Sequence, residues 1–129
     1  MDTLAVVDDN EVVHFIIDEI VKKYQLAKRL LPFLDGESAI EFFKTACEEQ
    51  EALPDLLLLD INLPGLDGWD FLEEFAKIQS NLKKELTIYM LSSSINEQDM
   101  EKAAYNPFVS GYVTKPVTAE KLKNLLEAK

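Results

Sequence analysis

Four consecutive leucines, Leu56 to Leu59, run directly into a carboxylate, Asp60. A strand with one wetted face alternates apolar and polar residues, so an unbroken apolar run describes a strand covered on both faces. Leu4 to Val7 is a second run of this kind, Arg29 to Leu34 and Leu86 to Leu91 read as two further strands, and Gly111 to Val113 as a short fifth. The segments between them carry apolar residues at helical spacing. From Glu11 onward these are Val13, Ile16 or Ile17, Ile20 and Tyr24; then come Ala39, Phe42, Phe43, Ala46 and Cys47; then Trp69, Leu72, Phe75 and Ala76. Asn96 to Tyr105 is a short helix ended by Pro107, and Ala119 to Ala128 a last one with Leu122, Leu125 and Leu126 inward. Parallel strands are joined by helical crossovers, so five strands alternating with five helices predict an α/β fold, a parallel sheet with helices on both faces.

A chain of 129 residues suffices for one compact domain, expected over 1–129 with no output domain. A formal charge of −11 repels nucleic acid and argues against a direct DNA or RNA partner. No stretch of 18 apolar residues offers a membrane span and Met1-Asp2-Thr3 does not open a signal peptide, so a cytoplasmic protein is expected. The lone Cys47 cannot form an internal disulfide, and its place near Phe43 predicts a buried or half-buried thiol.

Ligands of open parallel sheets bind beyond the carboxyl ends of the strands, and here polar residues collect at those ends. The first strand delivers Asp8 and Asp9, the third Asp60, the fourth Ser92, Ser93 and Ser94, the fifth Thr114 and Lys115. A single Asp or Ser after a strand is ordinarily a helix cap or loop residue. Four strands ending this way together point to a site. Clustered carboxylates repel one another and raise one another's pKa, which a hard divalent cation such as magnesium relieves with oxygen ligands. Lys115 and the serine hydroxyls add positive charge and donors that suit a phosphoryl group, and Asp60, fixed at the end of a buried strand, is the carboxylate best placed as a nucleophile. Pro64, Gly65 and Gly68 shape the loop beside it.

The motifs "VVDDN" at 6–10, "PDLLLLDINLPGLDG" at 54–68, "YMLSSS" at 89–94 and "GYVTKP" at 111–116, in this order and spacing, resemble the response regulator receiver domain of two-component signalling over nearly the whole chain. The resemblance implies a flavodoxin-like doubly wound sheet of order 2-1-3-4-5. It implies that Asp60 takes a phosphoryl group from a phosphohistidine of a histidine kinase or phosphotransfer protein, with Mg2+, or Mn2+ in its place. By the same resemblance Asp9 ligates the metal directly, Asp8 largely through water, and Asn62 through its backbone carbonyl. Ser92, with Ser93 beside it, and Lys115 would contact the phosphoryl group, Pro116 would follow a cis peptide, and Tyr112 would be the aromatic switch residue. Such a chain is a phospho-acceptor that catalyses its own phosphorylation and dephosphorylation rather than an enzyme on an outside substrate. It would be a monomer or a phosphorylation-dependent dimer, read by partners at the fourth helix, fifth strand and fifth helix.

The stretch "AYNPFVSG" at 104–111 departs from the family's usual small-residue pattern, and the resemblance implies that Asn62 and Ser94 flank the acceptor at positions that affect how long the phosphoryl group survives. His14 is expected as a polar residue of the first helix rather than a relay or metal ligand. Trp69 is expected against the site-bearing loop or partly exposed. A phosphorelay intermediate needs the same site residues as a terminal switch. An aspartate-nucleophile phosphatase is disfavoured because the first strand ends in adjacent aspartates rather than Asp-x-Asp and no cap segment is present; a nucleotide-binding protein is disfavoured because neither a Walker loop nor GxGxxG occurs. A receiver-shaped adaptor that is never phosphorylated is disfavoured by the intact site.

Overall fold

The computed structural model describes residues 2–49, 53–82, 85–93 and 96–127. The elements alternate along the chain: β1 (Thr3–Val7), α1 (Glu11–Tyr24), β2 (Arg29–Phe33), α2 (Gly36–Glu49), β3 (Leu56–Asp60), α3 (Gly68–Ile78), β4 (Thr87–Ser92), α4 (Glu97–Tyr105), β5 (Val109–Thr114) and α5 (Ala119–Glu127). All strand pairs are parallel and the sheet order is β2-β1-β3-β4-β5, the flavodoxin-like arrangement. No helix among the described residues is long and apolar enough to cross a membrane. Ser94, Ala128 and the side chain of Cys47 lie outside the described residues.

The leucine run divides between two cores. Leu57 and Leu59 join Phe43, Phe71, Phe75 and Met90 on the α2/α3 face, while Leu56 and Leu58 join Ile17, Val21, Leu122 and Leu126 on the α1/α5 face. Successive strand side chains point to opposite faces, so β3 must be apolar at every position, and each fully buried leucine contributes about 1.5–3 kcal/mol. The burial of β3 carries Asp60 inward with it: the carboxylate residue is only 3% exposed.

Several details differ from the periodicity. Ile17, not Ile16, faces the core, and Val21 completes that face; Tyr24 lies at the surface beneath Lys123, whose Nζ is 3.7 Å from its ring centroid. Ala76 is exposed and Leu125 only half-buried. β5 begins two residues early, at Val109, because Asn106 builds a turn: its Oδ1 accepts from Phe108 N at 2.9 Å and its carbonyl from Val109 N at 3.2 Å. That turn places Phe108 edge-on to Phe75, and the β4–β5 register then slips between Ile88 and Tyr89. The unusual stretch "AYNPFVSG" thus forms a turn and an aromatic contact. In β2, an edge strand, Arg29 N donates to Asp2 O on the β1 side; by the alternation of the backbone, the nitrogen of Pro32 faces away from β1.

α4 is the helix least embedded in the body. Ala103 is its one buried residue among those described, while Met100 and Tyr105 are exposed. Its start is well defined, with Asn96 Oδ1 accepting from Gln98 N and Asp99 N.

Candidate functional site

The carboxyl ends of β1, β3, β4 and β5 converge on one spot. Asp8 follows β1 and is fully buried, its Oδ1 accepting from Asn10 N at 2.9 Å; Asp9, the next residue, is exposed. Asp60 Oδ1 accepts from Asn62 N at 3.1 Å. Lys115, from the end of β5, sets its Nζ 2.7 Å from Asp8 Oδ2 and 3.4 Å from Asp60 Oδ2. Its backbone N–H donates to Ser92 O at 2.7 Å, so the strand ends that carry Lys115 and Ser92 are tied together. The Lys115–Pro116 peptide is cis.

Burial raises the pKa of Asp60 above its ordinary value, and the charge of Asp8 adds to that rise; the Asn62 N–H and Lys115 only partly oppose it. For Lys115, burial works against the charged form, but the hydrogen bond and charge of Asp8 and the charge of Asp60 outweigh it and the net shift is upward. One oxygen each of Asp8, Asp9 and Asp60 lie within 4.8 Å of one another. Asp8 Oδ2 is buried, and the Lys115 ammonium at 2.7 Å is its described partner. Three hard oxygen donors, two of them on buried residues, fit a hard divalent cation such as Mg2+.

The remaining expected residues fall unequally. Ser92 is buried at the tip of β4, whereas Ser93 is exposed and no described contact brings it to the carboxylates. Tyr112 is half-buried at the margin of the α2/α3 core, opposite Met90. Asn62 shares a cleft with Asp9, Pro64, Asp67, Trp69 and Asp99. His14 lies with its Nε2 2.7 Å from Asp8 O and 3.1 Å from Phe33 O. Both partners are carbonyls, so Nε2 carries the hydrogen, and Nδ1 is buried without a partner among the described residues. Replacing His14 by Phe leaves the Asp8 carbonyl without this donor, and urea titration should find the variant about 1–2 kcal/mol less stable.

Three contributors were not singled out from the sequence for the roles they have. Gly68 packs so closely beneath the acceptor that a Cβ there would lie 2.6 Å from Asp60 O. Lys121 Nζ donates to Thr114 O at 2.7 Å and Pro116 O at 3.1 Å, bracketing Lys115. Asp99 accepts from Trp69 Nε1 at 3.3 Å. A glycine shortly after an acceptor is a legible signal; contacts between α3 and α4, or between α5 and the loop before it, follow no local spacing.

The comparisons with known proteins agree with this geometry. The family model described as response regulator receiver domain matches residues 4–127. The response regulator Rcp1 of Synechocystis is 32% identical over 96% of this chain and 81% of its own length. A probable methanogenesis regulatory protein, FilR2, of Methanothrix harundinacea is 26% identical over 96% of this chain and 78% of its own. Among solved structures, a two-component response regulator from Cytophaga hutchinsonii superposes with a TM-score of 0.89 at 28% identity, covering 99% of this chain and 96% of that one.

Proposed function

The chain belongs to the response regulator receiver domain family of two-component signalling, and from that premise we propose that it accepts a phosphoryl group on Asp60 and thereby changes its affinity for a protein partner. The observation that carries this reading is the buried Asp60 carboxylate held between Asp8 and Lys115 at the ends of three strands. An oxygen of Asp60 attacks the phosphorus of a phosphohistidine on a histidine kinase or phosphotransfer protein. The new O–P bond forms as the N–P bond breaks, and the imidazole leaves with the bonding pair. Mg2+ held by Asp8, Asp9 and Asp60, with the backbone carbonyl of Asn62, would neutralise charge on the phosphoryl oxygens.

This chain's own residues do the rest. Lys115, already within reach of both buried carboxylates, meets the phosphoryl oxygens from the β5 side, and the Ser92 hydroxyl does so from β4. The Asn62 N–H holds the non-reacting oxygen of Asp60. The adduct adds about −1.5 to −2 charges beside Lys115. Tyr112, one residue from the β5 partner of Leu91 and half-buried, is placed to repack in response. Subsequent attack by water on phosphorus would return the carboxylate, so the chain acts on itself rather than on an outside substrate. We place the exchange in the cytoplasm.

Intact mass after incubation with acetyl phosphate tests the reading. A single phosphoryl adduct that requires Mg2+ and is removed by hydroxylamine supports it; no adduct, together with no beryllofluoride binding, rejects it. Lys115→Ala leaves two neighbouring carboxylates without their cation, and the initial rate of adduct formation should fall about tenfold or more.

A further inference from the structure

We propose that Trp69 and Asp99 form a latch that holds α4 in its place only while Asp60 is unmodified, so that breaking the latch is part of the response to phosphorylation. The inference rests on the reading of Asp60 given above. It starts from an unequal attachment. Trp69 stands on firm ground: it follows Gly68, which is packed against the Asp60 carbonyl and the Ile61 backbone and donates to Ile61 O at 3.0 Å. Asp67, on the other side, closes a capping box with Asp70 at the same helix start. The indole is therefore carried by the first turn of α3, which packs directly on the acceptor's backbone.

Asp99 stands on the opposite footing. It belongs to α4, which offers the interior only Ala103 among its described residues. Across the cleft the Trp69 Nε1–H donates to Asp99 Oδ1 at 3.3 Å, and one helical turn further Lys102 Nζ lies 5.6 Å from the centroid of the indole ring. For a helix with so little buried surface, a hydrogen bond to a charged acceptor and a cation–π contact are a large share of what fixes its position.

The chain that leads into this same end of α4 explains why modification would strain the attachment. Ser92 is buried beside Asp60, since Leu91 pairs with Asp60 in the β3–β4 register, and the α4 cap Asn96 follows four residues later. A phosphoryl group on Asp60 has to be met by Lys115 and Ser92, and a movement of Ser92 toward it draws on the same short connection that ends at Asn96 and Asp99. Two arrangements of a weakly embedded helix, one with the latch closed and one with it open, are then biased by the acceptor.

Linkage sets the sign of the test. A contact made only in the unmodified arrangement opposes any ligand that favours the other, so removing it tightens that ligand. Beryllofluoride with Mg2+, added to the full chain, is the probe, and Trp69, the sole tryptophan in the sequence, reports by fluorescence. Asp99→Ala should bind beryllofluoride about three- to tenfold more tightly than the wild type. Asp99→Asn keeps a carbonyl acceptor for the indole and should stay within about twofold, which separates the latch from mere loss of charge. Trp69 emission should shift on beryllofluoride addition in the wild type, while in Asp99→Ala it should begin near the shifted value.

Equal or weaker binding by Asp99→Ala, with the wild type binding normally and both proteins folded by circular dichroism, overturns the latch and leaves Asp60 phosphorylation standing. If the wild type neither binds beryllofluoride nor forms the acetyl phosphate adduct, the acceptor reading fails and the latch fails with it.

Discussion

Asp60→Asn should abolish the phosphoryl adduct entirely while making the metal-free protein more stable. The first effect follows from chemistry, since an amide lacks the nucleophilic carboxylate oxygen that the aligned site supplies. The second follows from burial. Asp60 is raised above its ordinary value of 3.8 by burial first and by Asp8 second, so its ionised form is penalised in the folded state. A carboxyl with a raised folded pKa contributes stability that is fully present below the unfolded value and is lost as pH rises through the folded value. The wild type therefore weakens across the interval from about 3.8 up to that raised value, and Asn, which does not titrate, removes this slope. Thermal unfolding without Mg2+, followed from acidic to neutral pH, should show the variant's advantage growing through that interval and then levelling off. Each kcal/mol gained should appear as a rise in Tm of roughly 3–5 °C for a domain of this size. Retention of the adduct in Asp60→Asn would remove the acceptor assignment; a Tm below that of the wild type at neutral pH would remove the account of the site's electrostatics.

Gly68→Ala should shift stability the other way, lowering it while also slowing the chemistry. Its Cβ would meet Asp60 O at 2.6 Å and Ile61 Cα at 2.9 Å, both backbone atoms, and Met90 Cε at 3.1 Å. The flexible methionine can move, but the two backbone atoms yield only if the acceptor's own peptide shifts. Overpacking of this kind costs about 1–3 kcal/mol. Urea unfolding should show a lowered midpoint with an unchanged slope, and the rate of adduct formation should fall because the displaced carbonyl belongs to the nucleophile's residue. Gly65→Ala is the informative contrast. There the new Cβ meets mainly the movable Glu37 carboxylate, at 2.9 Å, and the cost comes from a backbone held at φ 71°. That variant should lose stability with little change in rate.

The fold was legible because its strongest signals are local. Consecutive apolar residues in Leu4–Val7 and Leu56–Leu59 can only be accommodated between two helical layers, and the structure sends alternate residues of each run to opposite cores. The acidic site was legible for a related reason: strand ends in a parallel sheet all arrive at one edge, so Asp8, Asp9, Asp60 and Lys115 are brought together by topology alone. Periodicity was less informative at the margins of helices, where it left Ile16 and Ile17 unresolved and placed exposed Ala76 on the apolar face. The β5 start was missed because Pro107 read as a break, and only the folded turn at Asn106 shows that the chain resumes as strand at Val109. Contacts such as Trp69 with Asp99 join residues from different elements, and no spacing within either helix encodes them.

Pro32 has a consequence for the protein's behaviour in company. β2 is an outer strand of the sheet, and an outer strand with every amide free is a template on which another extended chain can grow. A proline whose ring nitrogen faces outward deletes a donor from that template without removing any bond to β1. The same residue that costs the sheet nothing inside thus discourages a sixth strand from outside, and Pro32→Val should be recognised less by its fold than by a greater tendency to form aggregates on prolonged incubation.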